Sequence, residues 1–376
     1  MRALVYIGMI LLLFSVLACK RDKPDPDPID PSTPSGCNTF DYSNTTPYQL
    51  DIPPFIPPMN IPTDNPLTQE GVELGRFLFW DKSLSSDGSI SCGSCHLPEF
   101  GFSDPNTFST GVGGAMGTRT SMALVNLGWA NFFFWDGRAA TLEEQVFHPI
   151  LDPVEMNESV QNVVLKVQSN PMYPPMFEAA FGTQCVDSAR IARSVAQFMR
   201  TLVSFSSDFD KAYYGTSVTF TPEQWNGLEL FLKEGGDPAD GLGGQWGADC
   251  FHCHGGSFTF FTDHELHNNG LDSIFVDPGA YAVTGNPMHL GHFKTPTLRN
   301  IAKTGPYMHD GRFATLEDVV EHYNSGGVPS ATIDPFMKYT QGGLQLSDYD
   351  KFCLIEFLNM LTDEEFMENP AFQDPH

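Results

Sequence analysis

Cys92-Gly93-Ser94-Cys95-His96 and Cys250-Phe251-His252-Cys253-His254 each hold two thiols three positions apart, with an imidazole directly after the second. This is the spacing of covalent c-type haem attachment. The thiols add to the vinyl groups of the porphyrin, and the adjacent histidine ligates the iron from one side. A redox-active Cys-x-x-Cys does not need the following histidine, and a zinc site would not need export to a compartment where haem is attached. We therefore read Cys92, Cys95 and His96 as one haem-binding set and Cys250, Cys253 and His254 as another.

A second pattern is an internal repeat. Trp135-Asp136-Gly137-Arg138-Ala139-Ala140-Thr141-Leu142-Glu143-Glu144 recurs as His309-Asp310-Gly311-Arg312-Phe313-Ala314-Thr315-Leu316-Glu317-Asp318, an offset of 174 (310 − 136). The same offset pairs Leu124 with Leu298 and Asn126 with Asn300. Similarity at a fixed period implies a duplicated unit. The halves differ where it matters chemically: Tyr323 has Pro149 as its offset partner. If this segment faces the open side of each haem, the second iron receives an axial side chain and the first does not. An open iron is a catalytic site, whereas a six-coordinate iron stores or passes electrons. Met308 is an alternative ligand that reads better as core filler.

Helices must position these groups. Residues 68–80 and 222–234 read as helices leading into the two haem motifs. Thr141 and Thr315 read as helix N-caps, with Glu144 and Asp318 three residues on in the manner of a capping box. The expected fold is all-α, with two tandem cytochrome c-like domains over 38–205 and 206–376, each with one covalently bound haem.

The chain has 376 residues and is 41% hydrophobic, too apolar for disorder and long enough for two cores. With 46 acidic against 20 basic side chains, a net charge of −26, it lacks the clustered cations that nucleic acid requires. Such a surface favours a basic protein partner. Residues 1–18 read as a lipoprotein signal peptide: Arg2, then an apolar run too short to span a bilayer, ending Val16-Leu17-Ala18-Cys19. Cleavage before Cys19 would leave that residue lipid-anchored, followed by a Pro- and Asp-rich tether over 19–37. The expected location is the periplasmic side of a bacterial membrane, held by the lipid alone. Cys37, Cys185 and Cys353 remain, of which two can pair in an oxidising compartment; the sequence does not choose which. Asp263-His264-Glu265-Leu266-His267-Asn268 reads as haem-edge hydrogen bonding and not as a separate metal site.

Together with Val154-Glu155-Met156 and Pro296-Thr297-Leu298-Arg299-Asn300, these motifs resemble the bacterial dihaem cytochrome c peroxidase family over about residues 50–365, and its MauG-like subgroup in particular. The resemblance implies a peroxidatic haem in the N-terminal domain and an electron-transfer haem in the C-terminal one. By matched position it makes His96 and His254 proximal ligands, Tyr323 the axial ligand of the second iron, Glu155 the distal acid–base, and Gln145 the distal amide. Trp135 becomes the tryptophan between the haems and His309 a supporting histidine. The carbonyls of Thr304 and Pro306 would hold an interdomain calcium ion.

The chain departs from the classical members in three places. Val112, in Gly111-Val112-Gly113-Gly114, stands where they carry a histidine that blocks the resting peroxidatic iron; Tyr323 stands where they carry methionine; Thr120 replaces an asparagine that helps hold calcium. A phenolate favours ferric and higher iron, whereas methionine favours ferrous iron. The resemblance therefore implies reduction of hydrogen peroxide at an open N-terminal haem. Electrons would be relayed through a His/Tyr-ligated C-terminal haem from a small basic cytochrome c or copper protein. One alternative is a MauG-like enzyme that turns high-valent iron on aromatic residues of a partner protein. Another is a non-enzymatic dihaem electron carrier.

Overall fold

The computed structural model describes Cys37 and residues 39–376 except Thr216, Leu242, Gly256 and Ser257. The expected signal peptide, Cys19 and the tether as far as Gly36 lie outside the described residues. The described chain is mainly helical, with a two-stranded antiparallel ribbon in which Leu266 faces Lys294 and His267 faces Phe293.

Two helix pairs form the framework. Helix Gln69–Trp80 starts at Thr68, whose hydroxyl accepts the Gly71 N–H, and buries Leu74, Leu78 and Phe79 against helix Ser188–Thr201. Helix Pro222–Leu232 opens with a Thr221/Gln224 capping box and packs on helix Asp348–Asn359. Each pair meets at a glycine. A Cβ on Gly75 would lie 1.9 Å from the Ser194 carbonyl oxygen, and one on Gly227 would lie 2.0 Å from that of Cys353. No larger residue permits either crossing.

One apolar cluster gathers around Leu78, Phe79, Phe177 and Phe198, and a second around Phe209, Phe231, Phe357 and Leu361. Burying each such side chain contributes about 1.5–3 kcal/mol. The C-terminal tail returns across residue 206, because Phe366, Met367 and Phe372 pack in the first cluster. Arg76 holds that tail by donating to the carbonyls of Gln373 and Pro370.

The repeat persists in the backbone. Asn126 and Asn300 both adopt the left-handed conformation (φ 56° and 62°). Asn126 is bonded to Leu202 and Ser204, and Asn300 in the corresponding way to Leu361 and Asp363. Phe133 bridges Ala139 as Tyr307 bridges Phe313, again 174 residues apart, so each Asp-Gly-Arg segment is a tight turn at the same place. Among the three leftover cysteines the fold selects one pair. Cys37 and Cys185 form a disulfide with Cα atoms 5.6 Å apart, while Cys353 is a buried free thiol. Among the described residues no helix is long and apolar enough to cross a membrane.

Candidate active site

Each haem motif folds as a short turn, Cys92–Ser94 in the first case and Phe251–His254 in the second. All four motif cysteines are free thiols, and they line one continuous cavity together with His96 and His254. Burial pushes Cys92, Cys250 and Cys253 up to about 12 and Cys95 up to about 11, so they face the cavity as neutral thiols. Burial likewise lowers the pKa of both histidines and keeps them neutral. Nδ1 of His96 donates to the Phe102 carbonyl at 2.8 Å, and Nδ1 of His254 to the Phe261 carbonyl at 3.0 Å. Such a bond fixes the ring and its tautomer and leaves the Nε2 lone pair for a metal. Phe102 and Phe261 are fully buried with φ of 59° and 51°, a costly conformation for a bulky residue. Free thiols, neutral oriented imidazoles and a shared cavity suit a covalently held haem at each motif.

The two halves present different side chains to this cavity. Helix Leu316–Ser325 is regular, whereas its counterpart has an irregular hydrogen-bond ladder at Val146, between Leu142–Gln145 and Phe147–Leu151, although Val146 itself keeps helical φ and ψ (−53° and −42°). Pro149 accounts for the irregularity: it has no N–H for the Gln145 carbonyl, and its ring crowds that group. Gln145 and Pro149 both line the cavity at this irregular turn. The expected capping box is complete at Thr315 and Asp318. At Thr141 it is half made, because the Glu144 carboxylate accepts the Ala140 N–H instead.

Glu155 lines the same wall. Burial raises its pKa, Asp152 nearby adds to the rise, and Arg138 opposes it. Its backbone carbonyl accepts the Val112 N–H at 2.8 Å, which pins the glycine-rich loop against it. Gly111 is required here, since a Cβ would sit 2.1 Å from the Val154 carbonyl oxygen. Trp135 is held on both sides: its indole N–H donates to the Thr120 carbonyl at 3.0 Å, and its own carbonyl accepts the Lys294 N–H at 2.8 Å.

In the second half, the Asn269 amide donates to Tyr323 Oη at 3.1 Å and to Met308 Sδ at 3.4 Å. Burial holds the Tyr323 phenol well above its usual pKa, and the Asn269 bond works against this. His309 is buried and stacks on Phe293 with ring centres 3.7 Å apart. Thr304 and Pro306 line the cavity, while Thr120 donates its hydroxyl to the Met308 carbonyl and its N–H to the His309 carbonyl, both at 2.9 Å. In the 263–268 segment, His267 donates from both ring nitrogens, to Asp334 at 2.5 Å and Asp263 at 2.8 Å. A ring committed in this way has no lone pair for a metal.

Residues 69–217 match the family described as di-haem cytochrome c peroxidase. The methylamine utilization protein MauG of Methylorubrum extorquens is 36% identical over 305 residues, which cover 81% of each chain. This chain belongs to the dihaem cytochrome c peroxidase family. Cytochrome-c peroxidase IdrP1 of Pseudomonas sp. (strain SCT) is 32% identical over 349 residues, 85% of this chain and 86% of the relative. A crystal structure described as a MauG-like protein associated with microbial copper homeostasis is 33% identical with a TM-score of 0.78, covering 87% of this chain and 99% of that one. As a dihaem cytochrome c peroxidase family member, the chain is a haem-dependent oxidoreductase of the peroxidase type.

Two polar residues of this cavity belong to no sequence motif. Asn269 carries no motif, and its role exists only because folding brings it to Tyr323. Lys294 is 7% exposed and lines the cavity; its one signal was a lone lysine between Phe293 and Thr295.

Proposed function

We propose that this dihaem peroxidase reduces hydrogen peroxide to water at its first haem motif, with electrons entering through the second. The observation that carries the reading is the asymmetry of the repeat: Tyr323 and Pro149 are equivalent by position and both line the cavity, yet only Tyr323 offers an oxygen to a metal. Haem at the two motifs would supply an iron to which peroxide can coordinate and the electrons for its reduction. Cys92 and Cys95 would hold the first group with His96 as iron ligand; Cys250 and Cys253 would hold the second, ligated by His254 and Tyr323.

Glu155 is the proton carrier. Burial raises its pKa and so eases protonation of the carboxyl, which suits a group that takes a proton from one peroxide oxygen and returns it to the leaving oxygen. The Gln145 amide orients the peroxide. The Val112 bond to the Glu155 backbone holds the acid in place, and no imidazole stands at position 112 to occupy the site. Trp135, bonded to Thr120 and Lys294, bridges the halves between the motifs. His309, stacked on Phe293, is a positioning residue for that bridge through its carbonyl bond from Thr120. Burial keeps the isolated Tyr323 phenol neutral, so ferric charge is what would draw off its proton.

For calcium the donor set is thin: Thr304 and Pro306 offer carbonyls, but the Thr120 hydroxyl is committed to Met308. The chain's acidity suits a basic cytochrome c or copper protein as donor. Lipid attachment at Cys19 on the periplasmic side of a bacterial membrane completes the reading. A second reading, oxidation of aromatic residues in a partner protein, is favoured by Tyr323 together with the likeness to MauG.

The test is to mix the diferric protein with peroxide, without prior reduction, and then to compare turnover of reduced cytochrome c with oxidation of a co-transcribed protein. An immediate spectral change with cytochrome turnover is expected. No spectral change would remove the open first site, and a modified partner without cytochrome turnover would select the second reading.

A further inference from the structure

Lys294 stands out among the charged residues of the cavity. It is 7% exposed, and its ammonium is paired with no carboxylate among the described residues, although the chain carries 46 acids. The backbone places it firmly: its N–H donates to the Trp135 carbonyl at 2.8 Å, and it stands opposite Leu266 in the ribbon. Its Nζ lies 5.6 Å and 5.9 Å from the ring centres of Phe132 and Phe133. Those contacts are near the outer limit of cation–π attraction and contribute far less than desolvation of the ammonium costs.

His264, two residues before Leu266, lines the same cavity. Both its ring nitrogens are shielded from solvent and neither is hydrogen-bonded, in a left-handed backbone of φ 62°. A buried imidazole with two orphaned nitrogens and a buried ammonium with no counter-charge are each rare; here both line one cavity, near enough for the Lys294 charge to act on the His264 ring. Burial pushes Lys294 down to about 8, and burial together with the Lys294 charge pushes His264 down to about 4. The Asp263 charge opposes the fall at His264 without reversing it.

We infer that Lys294 and His264 together receive a carboxylate of a haem bound in this cavity, Lys294 as counter-charge and His264 as hydrogen-bond donor. This rests on the haem reading proposed above. Cysteine addition consumes the vinyl groups of a c-type haem but leaves its two propionates, the only charged groups on the porphyrin edge. The pair sits where the halves meet, since Lys294 is bonded to Trp135 of the first half while the ribbon joins it to the segment after the second motif. Lys294 is thus a positioning residue that also sets the charge beside the route between the haems.

The test uses haem-loaded wild type, Lys294→Met, Lys294→Arg and His264→Leu in chloride buffer free of carboxylates, so that no free carboxylate can substitute. Covalent haem is counted by mass, potentials by spectroelectrochemical titration, and the haem carboxylate bending band by resonance Raman. Lys294→Met is expected to lower the potential of one haem, because the uncompensated carboxylate favours ferric iron, and Lys294→Arg to restore it. His264→Leu is expected to shift the carboxylate band. Potentials and band unchanged in Lys294→Met overturn the inference; if that variant does not accumulate, an unchanged band in His264→Leu overturns it equally. Wild type without covalent haem would overturn the haem reading itself, so the two failures are distinct.

Discussion

One amide, that of Asn269, stands between Tyr323 Oη at 3.1 Å and Met308 Sδ at 3.4 Å, the two side chains able to close the second site. A phenolate ligand lowers an iron potential and a donor to that phenolate raises it again. Tyr323→Met is therefore expected to raise the potential of the second haem and Asn269→Leu to lower it further below wild type. Spectroelectrochemical titration checks both signs. An unchanged potential in Tyr323→Met would remove Tyr323 from the iron.

Glu155 is held by its backbone, through the Val112 N–H, so its side chain can be altered with the loop in place. Glu155→Gln keeps the shape and removes the transferable proton. General acid–base catalysis contributes about 10²–10⁴-fold, and kcat for peroxide should fall by that order with the KM for the electron donor unchanged. Steady-state kinetics with reduced cytochrome c measure it; a fall below tenfold would show that the proton comes from elsewhere.

The Cys37–Cys185 disulfide closes a loop with a sequence separation of 148. Loop-closure entropy over that length, within the range seen for native disulfides, predicts that Cys37→Ser lowers stability by about 2–5 kcal/mol. Arg190 keeps part of the connection by donating to the Cys37 and Thr39 carbonyls. Denaturant unfolding of the variant, compared with wild type under reducing and oxidising conditions, checks the value. Equal midpoints would mean the bond does not form in solution.

His267 predicts a loss of stability at alkaline pH. Burial would lower its pKa, but hydrogen bonds and charge from Asp263 and Asp334 outweigh burial and raise it from 6.5 to about 9. A group whose folded pKa is raised stabilises fully below its unfolded pKa. The contribution is thus complete below about pH 6.5 and is lost as pH rises through about 9. The difference in thermal midpoint between wild type and His267→Gln should be largest near pH 6 and shrink by pH 10. A difference that does not vary with pH would show that the ring is not charged between the two carboxylates.

The sequence by itself determined the chemistry available: two Cys-x-x-Cys-His sets, a repeat at an offset of 174, and the contrast of Tyr323 with Pro149. These were legible because they are local, depending on residue type and spacing along the chain. The helices over 68–80 and 222–234 and the N-caps at Thr141 and Thr315 were legible for the same reason, since a cap is satisfied within three residues. The irregular hydrogen-bond ladder at Val146 followed from a proline that could be read, but the helical course of the chain through it required the backbone. Only the tertiary structure decided which cysteines pair, because Cys37 and Cys185 are brought within 5.6 Å by packing across 148 residues. It also decided that Asn269 meets Tyr323, that the tail from Phe366 returns to the first core, and that Lys294 is buried without an acid. Such relationships join residues with no pattern of their own, and only the buried environment made by the whole fold gives them meaning.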